Sequence, residues 1–252
     1  MGSMMPGAPR PDHGTLPSAS NPDAVRVLVL SALMTAALGD ASLMVNLLAA
    51  YADRPEPRSV AVVGNQPLKP DPRRAKAIDA CDLVIRVNGF VVDEPGGPET
   101  VGSRVHVVVF NRAVRATKHV FRDYRKRLYL LVEPGRMHWE PEDIPGWWPG
   151  DLGYVPVPNR EVVLPLSDAL GLPSREEGLW STTGTLAAWI ARTSFPHANL
   201  ILSGFSFIDD PAQTHWEHAA GDSCIVGPEH RIAAEGRLLD SWTKTGETEL
   251  LR

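Results

Sequence analysis

The sequence predicts an α/β domain built on a mainly parallel sheet, and three observations carry that expectation. The first is a set of near-continuous Val/Ile/Leu runs: "SVAVVG" (59–64), "DLVIRVN" (82–88), "RVHVVVF" (104–110), "RLYLLV" (127–132) and "NLILSG" (199–204). Strands buried on both faces look like this, whereas half-exposed strands alternate. The second is what lies between them: "RRAKAIDA" (73–80), "AVRATKHVFRDYRKR" (113–127) and "TTGTLAAWIARTSF" (182–195) have helical patterning. Strand and helix in alternation indicate a parallel sheet with helices on its faces. The third is size. A chain of 252 residues, 43% of them hydrophobic, has ample core for one large domain.

Taken in order, residues 1–22 are rich in Pro, Gly and Ser and read as a disordered leader. Residues 23–56 hold an apolar run that stops at Gly39–Asp40, too short for a membrane span of roughly 20 residues. They read as two helices joined near Gly39 and packed on the domain. Residues 57–252 form the domain itself. Within it, "PGRMHWEPEDIPGWWPGDLGYVPVPNR" (134–160) is a long Pro/Gly/Trp excursion of the kind that is functional or mobile. Its Trp139, Trp147, Trp148 and Tyr154 suit either stacking on a sugar or fastening the loop to the body.

The formal net charge of -5 argues against nucleic acid as a partner. Two cysteines, Cys81 and Cys224, are too few for a disulfide scaffold, and no Asn-x-Ser/Thr sequon occurs, so a reducing cytoplasm is the expected location.

Ligands of parallel sheets sit beyond the carboxyl ends of the strands, which draws attention to Gly64–Asn65. No G-x-G-x-x-G or G-K-[ST] accompanies this pair. On its own it fits a plain turn or a phosphate-binding bend. "STTGT" (181–185) likewise fits ordinary helix capping or an anion site at a helix start. Of the eight histidines, His13 lies in the leader and His106 falls in a strand, while His119, His138 and His197 have surface-like contexts. His215, His218 and His230 cluster after the last predicted core strand, in "THWEH" and "EHRIAAE". Each pairs with a carboxylate, which suits acid–base work, although a structural role is as open. The spacing matches no zinc motif and no D-x-D is present, so no metal is expected.

Together these pieces resemble the animal-type sialyltransferases, glycosyltransferase family 29. The family's large motif resembles "VAVVGNQPLKPDPRRAKAIDACDLVIRVN" (60–88), and "TVGSR" (100–104) resembles the stretch that follows it. The small motif resembles "STTGTLAAWIARTSFPHANLILSGFSF" (181–207), the third "HWE" (215–217), and the last His-x-x-x-x-Glu in "HRIAAE" (230–235). The family's disulfide between large and small motifs has no counterpart, since neither segment holds the needed cysteine. This fits a compact, bacterial-style cytoplasmic relative.

The resemblance implies a Rossmann-like domain of the GT-A-variant kind. It implies an inverting, metal-independent transfer of sialic acid or a related ulosonic acid from a CMP-sugar donor to a hydroxyl acceptor, glycan or small molecule, with no cofactor. It further implies His230 as general base and a protonated His215 at the leaving phosphate. Gly64, Asn65 and Asn88 would hold the nucleotide on one side, and Thr182, Thr183, Gly184, Gly204 and Phe205 on the other. Glu235, five residues after His230, would fix local structure. Hydrolysis of CMP or a CMP-sugar in the same pocket, and non-catalytic cytidine-nucleotide binding, are the alternatives.

Overall fold

A computed structural model describes residues 40–112, 114–133, 148–246 and 248–252. The leader, the first part of the 23–56 segment, and Trp139, Trp147 and His138 lie outside the described residues.

The elements, in chain order, are α1 (Asp40–Tyr51), β1 (Ser59–Val63), α2 (Pro72–Asp79), β2 (Leu83–Val87), β3 (Val107–Phe110), β4 (Leu128–Leu131) and β5 (Val155–Pro156). There follow α3 (Leu164–Leu170), α4 (Ser174–Glu177), α5 (Thr183–Ser194), β6 (Asn199–Ser203), α6 (Ser206–Asp209), β7 (His215–Glu217), β8 (Ser223–Ile225), α7 (Ile232–Lys244) and β9 (Thr248–Leu251). Seven strands form one sheet in the order β5-β4-β3-β2-β1-β6-β9, and every pairing in it is parallel. The domain is α/β, as the sequence predicts. None of the described helices is long and apolar enough to cross a membrane.

Burial on both faces explains the unbroken apolar runs. Along β1, Val60 and Val62 enter one core cluster, and Ala61 and Val63 enter another on the opposite face. Along β4, Leu128 and Leu130 join the first cluster, whereas Tyr129 and Leu131 join a third. Successive side chains point to opposite faces, so both must be apolar, and each fully buried Val or Leu contributes about 1.5–3 kcal/mol.

Arg86 is the charged exception, fully buried in β2. Its guanidinium donates to the carbonyls of Val101, Gly102 and Arg104, and burial pulls its pKa down to about 10. The same loop has its N–H groups bound from the other side. Asp93 accepts from Thr100, Val101 and Gly102, and Asp79 accepts from Ser103 and Arg104. Gly102, at φ +74, has no room for a side chain beside Asp79. The "Ile-Asp" and "TVGSR" stretches are therefore two halves of one structural clasp just before β2 and β3, away from the carboxyl ends of the strands.

Three departures from the sequence-based expectation matter. The stretch 113–127 is not a helix: its described residues form turns and one 3-10 turn at Tyr124–Lys126. Side chains take over the bonds a helical ladder would supply. Arg127 donates to the carbonyls of His119 and Val120, the Tyr129 hydroxyl donates to Val120, and Thr117 donates to Phe90. Asp123 adopts φ 55, which breaks helical continuity. Second, residues 199–204 are not the last core strand, because β9 adds a further parallel strand against β6. Third, the polar stretch after α6 forms an antiparallel hairpin, β7–β8.

Candidate functional site

From β1 the chain steps outward through β2, β3, β4 and β5, then returns to β6 on the other side of β1. The carboxyl ends of β1 and β6 therefore flank the point where strand order reverses, the place where open α/β sheets bind ligands. A cleft of about 800 Å³ opens there, within the usual range for small-molecule sites.

Two glycines make the floor. A Cβ on Gly64 would lie 2.2 Å from the carbonyl oxygen of Gly204, and one on Gly204, at φ +76, would lie 2.9 Å from that of Gly64. These residues are small because the two strand ends press against one another. Asn65 follows, and its side-chain amide donates to Val87 O at 3.0 Å, tying β1 to β2. Its Oδ1 is buried without a partner.

Asn88 takes φ 48, a conformation few residues other than Gly adopt readily. It is held there by its Oδ1, which accepts from Asn111 N–H at 3.2 Å. The Asn111 amide in turn donates to the Thr183 hydroxyl oxygen at 3.1 Å. A polar chain thus crosses the strand ends to the start of α5. Asn111 was not singled out from the sequence, yet a signal existed: β1, β2 and β3 are each followed within two residues by Asn.

Thr182 caps α5, accepting from Thr185 N–H. Its own N–H and hydroxyl both go to Glu235 Oε2, at 2.9 and 2.7 Å. Glu235, fully buried in the first turn of α7, joins the small-motif helix to the last motif. Gly184 accommodates the Phe205 ring, which would lie 3.1 Å from an added Cβ.

The histidines divide. His230 lines the cleft, and its Nδ1 lies 2.9 Å from the Trp180 carbonyl oxygen. A carbonyl only accepts, so Nδ1 carries a proton, and Nε2 is the ring nitrogen left for proton transfer. The Trp180 N–H donates back to Glu229 O at 2.9 Å, which locks this loop to the residues before α5. The Glu229 carboxylate is 3.5 Å from His230 Nε2. His215 is exposed, contacts the Thr214 hydroxyl at 3.0 Å and does not line the cleft. His218 does line it. Its Nδ1 is 2.9 Å from Asp222 Oδ2, and that hydrogen bond, more than the other charges nearby, holds the Asp222 carboxyl below its usual range. The His218 turn is fastened to the sheet by Ala219 N–H donating to Asn65 O at 2.7 Å. His119 is not a surface residue: it is 5% exposed, and it too lines the cleft.

Of the residues predicted for the site, the fold brings together Gly64, Asn65, Asn88, Thr182, Thr183, Gly184, Gly204, Phe205 and His230 around one cavity, and leaves out His215. In the long loop, Trp148 stacks on Phe110 with centroids 4.9 Å apart and meets Tyr154 edge-on, so these two aromatics fasten the loop to the body. Cys81 and Cys224 are free thiols; burial pushes that of Cys81 up to about 11.

No family model and no curated protein matches the chain. Solved structures do. The chain is similar to a mammalian sialyltransferase in complex with Gal-beta-1-3GalNAc-ortho-nitrophenol, at 15% identity and a TM-score of 0.48, over 77% of this chain and 69% of that one. A second structure of a mammalian sialyltransferase matches with the same identity, TM-score and coverage of this chain, over 68% of its own.

Proposed function

We propose that the cleft binds a CMP-activated sialic or related ulosonic acid and transfers the sugar, with inversion, to a hydroxyl acceptor. The observation that carries this reading is the fixed tautomer of His230: Nδ1–H is committed to the Trp180 carbonyl, so the remaining nitrogen is a base in the cavity that also holds the Gly64–Asn65 bend and the start of α5. Residues of all four motif-like segments, far apart in sequence, line that cavity, which supports the reading; the third segment contributes Trp216 and Glu217 and not His215.

In the proposed step, His230 Nε2 takes the acceptor hydroxyl proton while that oxygen attacks the anomeric carbon from the face opposite the phosphate. The carbon–oxygen bond to phosphate breaks, and CMP departs with the electron pair. The imidazolium so formed is offset by the Glu229 carboxylate, 3.5 Å away. Such general base catalysis contributes roughly 10²–10⁴-fold. The N–H groups of Thr183 and Gly184, at the N-terminus of a 12-residue helix, suit an anionic ligand. The Thr183 hydroxyl, accepting from Asn111, keeps its own proton to donate. One N–H of the Asn65 amide goes to Val87 O, and its Oδ1 has no partner in the protein, which leaves the side chain able to bond the donor.

The test is His230→Gln, assayed for sialyl transfer from CMP-sialic acid to a panel of glycans, alongside CMP titration. Transfer falls at least about 100-fold while CMP affinity stays within a few-fold. Turnover close to that of the parent protein removes His230 from the base role. Free sialic acid released without any acceptor product assigns hydrolysis instead.

A further inference from the structure

Arg115 lines the cleft from outside the motif-like segments. Arg115 lies in the segment after β3, which forms turns rather than a helix, and its guanidinium is 3.8 Å from Asp222 Oδ2 on the facing hairpin turn. The same Oδ2 receives His218 Nδ1–H. Both walls are seated independently. Gly89 lets the chain close against the carbonyl of Arg115, where any Cβ would lie 2.3 Å from that oxygen. Thr117 anchors the next turn by donating to Phe90 O at 2.7 Å. Across the cleft, His218 N–H donates to Asp222 O, and Gly221, at φ +87, closes that turn.

We infer that Arg115 and His218, brought to one point by Asp222, form an anion site in the cleft for an oxyanion of the donor. This deepens the proposed function and rests on it for the identity of the donor. The geometry has a simple logic. At 3.8 Å the Arg115–Asp222 contact is an ion pair and not a hydrogen bond, so both nitrogen groups keep donors for a ligand: the five N–H of the guanidinium, and Nε2 when the imidazole is protonated. Arginine in particular matches the paired oxygens of a carboxylate or phosphate. Its side chain is 74% exposed, so it is free to turn from Asp222 to a ligand. Once turned from Asp222, Arg115 brings to the cleft what His215, outside it, cannot: positive charge for the leaving group's developing charge. A CMP-activated ulosonic acid offers two such oxyanions, the phosphate and the carboxylate beside the anomeric carbon.

The experiment compares the parent protein with Arg115→Ala and His218→Ala, titrated by calorimetry with cytidine, CMP, CMP-sialic acid and inorganic phosphate. Thermal unfolding confirms that each variant folds, which the exposure of Arg115 makes the expected result. If the phosphate is the ligand, Arg115→Ala weakens CMP and inorganic phosphate at least about tenfold, the loss expected for one charge-assisted hydrogen bond, and leaves cytidine unchanged. If the sugar carboxylate is the ligand, only CMP-sialic acid is weakened. Unchanged affinity for all four probes in both variants overturns the anion site. A parent protein that binds phosphate, with loss in the variants, but binds no cytidine compound overturns the nucleotide reading and leaves the anion site standing.

Discussion

Replacing Glu235 by Ala removes two hydrogen bonds that tie the start of α7 to the start of α5. In the parent structure Glu235 Oε2 receives the Thr182 N–H at 2.9 Å and the Thr182 hydroxyl at 2.7 Å, in a fully buried setting. Each bond to a charged acceptor contributes about 1.5–3 kcal/mol. The two share one oxygen, and Oε1 is buried without a partner, so the desolvation cost of the carboxylate offsets part of the gain. The substitution also leaves the Thr182 amide buried and unsatisfied, at about 1–3 kcal/mol. A net loss of about 3 kcal/mol follows, which for a chain of this size lowers Tm by about 6–12 °C. Glu235→Gln keeps an accepting oxygen and loses about half as much. Thermal unfolding by circular dichroism reads both values. CMP titration of the folded variant reads the consequence for the cleft: Thr182, which still caps α5, is no longer held by α7, so the first turn of α5 is less firmly placed and affinity falls. A Glu235→Ala protein with unchanged Tm and unchanged CMP affinity would refute the view that the last motif supports the small motif.

Two other perturbations probe the frame. Gly64→Ala puts a methyl 2.2 Å from a backbone oxygen that has no freedom to move away; it costs at least about 1–3 kcal/mol and distorts the cleft. Gly171→Ala, at φ +66 with open space around it, costs only about 1 kcal/mol; equal Tm values for the two would contradict the close approach of β1 and β6. His106 predicts an acid-side instability. Its Nδ1 accepts the Val84 N–H at 2.8 Å, and burial, with Arg104 beside it, lowers its pKa below 6.5. The unfolded chain then takes up the proton more readily, so stability is full above about pH 6.5 and falls as pH drops from there toward the folded pKa. His106→Asn, which retains an acceptor, flattens that part of the urea-denaturation profile; an unaltered slope would remove His106 as a source.

Much of the frame was legible because it follows from burial. A strand covered on both faces cannot alternate, so β1, β2, β3, β4 and β6 announce themselves as apolar runs. What escaped was decided by contacts distant in sequence. Residues 113–127 have helical spacing, but the His119 and Val120 carbonyls are taken by Arg127 and Tyr129, which no local pattern reveals. Strand β9 is short and lies at the sheet edge, with Glu249 exposed, so its apolar signal is weak. At the site, motif spacing located the Gly64 bend and His230, both of which line the cleft, yet it selected His215 over His218, the one of that pair that does so. Which of two histidines three residues apart faces the cleft depends on the register of a hairpin whose strands have three residues each. Gly64 was singled out for a reason that differs from its packing role: its partner is Gly204, 140 residues on, and only the folded chain brings the two together.

The most direct measurement of the central claim is a calorimetric titration of the purified protein with CMP, UMP, AMP and GMP. The account predicts saturable binding of CMP, weaker binding of the others, and loss of CMP binding in Gly64→Ala relative to the Gly171→Ala control. Equal affinity for all four nucleotides, or none for CMP, would contradict it.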